Sequence, residues 1–107
     1  MKNVFEDMPY ADDKMGFRKV VDEQHLLIMQ IALRPGQKVP QHHANSNVHL
    51  LVIEGQVIVT LAGCDTELSE GSLLPVDYKT SMSIYNDSDA NASFLVLKTP
   101  NPSEMGD

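Results

Sequence analysis

The chain has 107 residues, 42% of them apolar, which suits one domain with a modest core. Its formal charge of −7, from 8 Lys and Arg against 15 Asp and Glu with no basic cluster, excludes a phosphate-backbone binder. A single cysteine, Cys64, excludes an intrachain disulfide and fits a reducing, cytoplasmic compartment; "MKNVFEDMPYADDK" lacks a signal peptide's apolar core, and no apolar run is long enough to span a membrane.

Residues 1–19 carry sparse, unperiodic apolar residues and read as an irregular arm. "HLLIMQIAL" (25–33) is a β-rich run, ended by a tight turn at Arg34-Pro35-Gly36. "KVPQHH" is a short extended piece in which Pro40 suits an edge or a bulge. After "ANSN" comes the continuous apolar run "VHLLVIE" (48–54). "QVIVTLA" (56–62) alternates Val57, Val59 and Leu61 against Gln56, Ile58 and Thr60. Glu54-Gly55, between those two runs, reads as a hairpin turn. A short strand follows Ala62-Gly63, where Cys64 reads as an exposed thiol, and then come "SLLPV", "TSMSIYN" and "SFLVLKT". "PNPSEMGD" (100–107) is a tail. Many short strands at regular spacing predict an all-β sandwich or barrel over residues 20–99, with any small site at the barrel mouth.

Two motif frames carry a resemblance to the cupin family, the small jelly-roll barrels built as a double-stranded β-helix. The first frame runs from Gly36 through His42 to Gly55 in "VIEGQV". The second runs from Gly71 to Asn86, fifteen residues on, with Asp77 and Lys79 at the motif's proline and glycine and Pro75 two residues early. The resemblance spans Leu26 to Thr99 and implies a cupin barrel behind the irregular arm. It also implies four metal-ligand positions, at 42, 44, 48 and 82. This chain offers His42, Ala44, Val48 and Met82 there, one ligand of the family's three histidines and one glutamate.

Three of the four histidines, His42, His43 and His49, crowd the first frame and are the candidate metal set. Side-chain parity along a strand separates His42 from His43, whereas a bulge could bring His42 and His49 together. His42, His49 and Met82 would then suit copper(I). By the family frame His42, Val48, Leu50 and Val52 face inward, and His49, Leu51 and Ile53 face outward. His42, Leu50, Val52, Tyr78 and Met82 are the expected ligand-pocket residues. His25 opens a strand and reads as structural.

No Cys-x-x-Cys pair, Gly-rich phosphate loop or Gly-x-Ser-x-Gly elbow is present, and no catalytic residue is identified. The first functional expectation is a small-molecule-binding barrel that lacks the family-type metal centre and works as a homodimer through the outward Leu51 and Ile53. The alternative is an oxygenase- or isomerase-type enzyme holding a divalent transition metal on rebuilt histidines. Two further readings are general-base catalysis by His42, which finds no inward carboxylate to match, and a purely structural or interaction domain.

Overall fold

A computed structural model describes residues 1–106. Among these residues nine strands run in chain order: β1 (Gly16–Glu23), β2 (Leu26–Leu33), β3 (Lys38–His43), β4 (Asn47–Glu54), β5 (Gln56–Leu61), β6 (Cys64–Ser69), β7 (Leu73–Val76), β8 (Ser81–Tyr85) and β9 (Ala92–Thr99). They form two antiparallel sheets, ordered β1-β2-β9-β4-β7 and β3-β8-β5-β6. Their inner faces meet in one core of Ile31, Leu33, Leu50, Val52, Val57, Val59, Ile84 and Phe94, with further apolar neighbours. This is the all-β jelly-roll barrel that the strand spacing and motif frames lead one to expect.

The Arg34-Pro35-Gly36-Gln37 turn is closed by the Gln37 N–H donating to Arg34 O at 3.1 Å, and Gly36 takes a φ of +83° that only glycine adopts cheaply. Asn86 is fully buried; its amide donates to Leu33 O (3.0 Å) and Ala90 O (2.8 Å), and its Oδ1 accepts from the Ser88 N–H at 3.0 Å. It locks the loop before β9 onto the end of β2, a scaffold role.

Glu54-Gly55 is not a hairpin turn. β4 and β5 lie in different sheets and do not pair, so the chain switches sheets at Gly55. Gly55 has φ +71°, and a Cβ there would collide with the Asn91 carbonyl. The same dipeptide signal thus serves a corner where two backbones come close.

β1 takes in the last four residues of the stretch read as arm. The segment before it is clasped to the outer face of the five-stranded sheet. Arg18 donates to Asp7 O (2.9 Å) and Glu6 O (2.9 Å), and to the Gln30 Oε1 (2.9 Å); Gln30 in turn donates to Val4 O (2.8 Å) and to Ser93 Oγ (3.2 Å). Tyr10 OH donates to Glu54 at 2.9 Å, while burial and that carboxylate hold its phenol well above the ordinary tyrosine range. His25 lies at the exposed β1–β2 turn, 3.3 Å from Glu23, just before β2 rather than in it. Residues 102–104 of the tail form one 3-10 turn, and Asp107 lies outside the described residues.

Candidate functional site

His42 owes its position to a bulge. Val39 pairs with Ile84 and His42 with Met82, so three residues on β3 span two on β8. Uninterrupted alternation from inward Val39 would put Gln41 inside and His42 outside. The extra residue at Pro40-Gln41 reverses that. Proline fits because it has no N–H to give to a ladder. His42 and Met82 are thereby direct cross-strand neighbours, a geometry that sets Cβ atoms about 4.5–5.5 Å apart. The His42 Nδ1 donates to Pro40 O at 3.0 Å, which leaves Nε2 for another partner.

Beside this pair the barrel opens into a cavity of about 350 Å³. Its wall is mainly apolar: Met15, Met29, Leu50, Met82, Ile84 and Val96 contribute, together with His42 and Lys98. Met15 reaches it from the arm and Met29 from β2. His42, Leu50 and Met82 therefore share one cavity. Val52 is packed deeper in the core, and Tyr78 sits in the turn between β7 and β8 with Lys79 5.2 Å from its ring centre. Because that turn interrupts the strand, parity counted back from Met82 does not reach Tyr78.

The three clustered histidines do not converge. His43 is exposed opposite Ser81, while His49 pairs with Leu97 and Pro75 on the outer face of the five-stranded sheet. A copper set of His42, His49 and Met82 is separated by the sheet itself. Among the described residues no group of three His, Cys, Asp or Glu side chains is placed to hold a metal ion. All four family ligand positions point inward, but Ala44 is 2% exposed, Val48 1% and Met82 2%. Two of them thus bring only hydrocarbon into a closed core, and Met82 brings a thioether, so the residues present do not fit a three-histidine, one-glutamate centre.

Lys98, like Met15, is a cavity residue that sequence reasoning missed. On β9, Phe94, Val96 and Lys98 follow one another on the inner face, and Lys98 pairs with Val48 on one side and Leu27 on the other. Its stem lies on apolar surface and its ammonium donates to Asn45 Oδ1 at 2.9 Å. Burial lowers its pKa below the ordinary lysine value. The parity signal was available in "SFLVLKT", but a lysine near a strand end is ordinarily taken for a solvent residue.

A family model described as Cupin domain matches residues 29–98. The chain is 33% identical over 106 residues to the uncharacterized protein MJ0764 of Methanocaldococcus jannaschii, covering 98% of this chain and 90% of that protein. The crystal structure of MJ0764, an RmlC-like cupin with a double-stranded β-helix fold, is similar with a TM-score of 0.84 at 29% identity, over 95% of this chain and 91% of that one. TT1209 from Thermus thermophilus is similar with a TM-score of 0.86 at 24% identity, over 94% and 96% of the two chains. A double-stranded β-helix protein from Klebsiella pneumoniae gives 0.87 at 16%, over 94% and 90%, a likeness of fold alone.

Proposed function

The chain belongs to the cupin family, and from that premise we propose that it binds a small molecule in its barrel without a family-type metal centre. One observation carries the reading. Two of the family's ligand positions, Ala44 and Val48, are sealed hydrocarbon, while an apolar cavity of about 350 Å³ stays open next to His42. Largely apolar pockets of this size with a few placed polar groups are the usual form of a small-ligand site.

The test is elemental analysis of untagged protein, paired with a thermal-shift screen of small amphipathic molecules. The reading expects substoichiometric metal, unchanged in His42→Ala, and ligands that raise Tm. One metal per chain that His42→Ala abolishes overturns it.

We also propose that a second copy of the chain covers the part of the outer face of the five-stranded sheet that the arm leaves open. There His49 lies among Ile28, Leu51, Leu95 and Leu97, with Leu73 60% exposed at the edge. An apolar face is self-complementary under a two-fold axis. Analytical ultracentrifugation at micromolar concentration should give a dimer, and Leu51→Asp a monomer.

A further inference from the structure

We propose that the barrel cavity takes a free, medium-chain carboxylate, its anionic head on Lys98 and its apolar tail against Met29, Leu50, Met82 and Val96. The inference rests on the small-molecule reading above and names the class of ligand.

Charge is the first ground. The protein carries −7 overall, yet His42 and Lys98 are the only titratable side chains on the cavity wall among the described residues, and no carboxylate lines it. A site lacking carboxylates and bearing an ammonium disfavours cations and favours an anion.

Register is the second. Where the cupin frame has its glutamate, this chain has Val48, and Val48's direct partner across β4 and β9 is Lys98. The place that would hold a carboxylate for a metal is hydrocarbon beside a fixed positive charge. The local preference is inverted from cation to anion.

Hydrogen-bonding capacity is the third. An ammonium has three donors, and Asn45, in the exposed loop at the mouth, accepts one. The other two N–H groups can meet both oxygens of a carboxylate at the mouth. The wall below offers thioethers and aliphatic carbons, and methionine adapts to tails of irregular shape. Burial lowers the Lys98 pKa, and a bound carboxylate would compensate that cost.

The experiment titrates the full chain with octanoate, octanol, octylamine and butanoate by calorimetry, near neutral pH. Octanoate is expected to bind at least tenfold more tightly than octanol, as a charge-assisted hydrogen bond gives. Octylamine should bind least. Butanoate should bind more weakly than octanoate by on the order of a hundredfold, four methylenes at about 0.8 kcal/mol each. Lys98→Met should erase the octanoate preference while keeping octanol affinity, and Lys98→Arg should restore most of it. Asn45→Ala, which leaves the ammonium in place, should keep the preference.

A preference that persists in Lys98→Met overturns the inference. Equal binding of octanol and octanoate overturns it too, but leaves the small-molecule reading standing. Binding of none of the probes overturns it as well, and the small-molecule reading is then decided by the elemental analysis and thermal-shift screen above.

Discussion

The barrel interior has two halves built from the same strands. Around Phe94, Leu33, Val52 and Val57 the inward side chains pack into one cluster closed to solvent. Further along those strands, at Met29, Leu50, Val96 and Lys98, the inward side chains stop short of one another and a cavity remains. Alternation is the same in both halves, so alternation cannot distinguish core from site. What separates them is whether the side chains fill the centre, and whether a polar tip keeps spare bonding capacity. Gln30 makes the contrast sharper. It is fully buried and polar, yet its amide is engaged by Arg18, Val4 and Ser93, so it is structural. Lys98 is half-buried with a single protein acceptor among the described residues, so its remaining donors suit a ligand.

Phe94→Ala should break the closed half most severely. A loss of about 3–5 kcal/mol is expected in urea unfolding, since both transfer and cavity terms apply. If the loss were below about 1 kcal/mol, the closed half would be loosely packed after all. Gln30→Ala should cost about 1–3 kcal/mol, because Arg18, Ser93 and the Val4 carbonyl lose their shared partner. It should also speed proteolysis within residues 1–15, which limited digestion would show. Met29→Ala, on the open wall, should cost only about 1 kcal/mol, because Met29 is partly exposed before the change. Octanol affinity should fall in the same variant.

The smallest effect concerns Asp22, at the surface. Its pKa is lowered by a hydrogen bond from Asn101 and by Lys19. A depressed folded-state pKa means its contribution is present above the ordinary carboxylate value and lost as pH falls through the folded one. Asp22→Asn should therefore flatten the acid limb of the stability curve slightly below pH about 4, as thermal melts across that range would show.

Much of this was legible. The eight strands from β2 to β9 follow from β-branched runs and turn residues, and the inward set around His42 follows from the motif frame. β1 was not, because "GFRKVVDE" puts Phe17 in solvent, commits Arg18 to the arm, and shifts register between Lys19 and Val21. The sheet switch at Gly55 was not, because a tight hairpin and a crowded corner ask for the same residue. Lys98 was hidden by its type and Met15 by its place in the arm; neither belongs to a metal motif. The orientation of His42 depended on a bulge that Pro40 hinted at, and only pairing with β8 resolves it.

The hydrocarbon at Ala44 and Val48 also bears on what this barrel could become. Reaching a four-ligand metal site requires polar side chains at 44, 48 and 82. Taken alone, Ala44→His would overfill a packed spot and bury an imidazole without partners, at about 1–3 kcal/mol or more; Val48→Glu would bury a carboxylate beside Lys98, an ion pair and not a metal site. A marginally stable small domain tolerates few such intermediates. With Ala44 and Val48 sealed in the core, single substitutions toward a metal site meet a packed interior, whereas the open wall around Lys98 has room for a changed side chain.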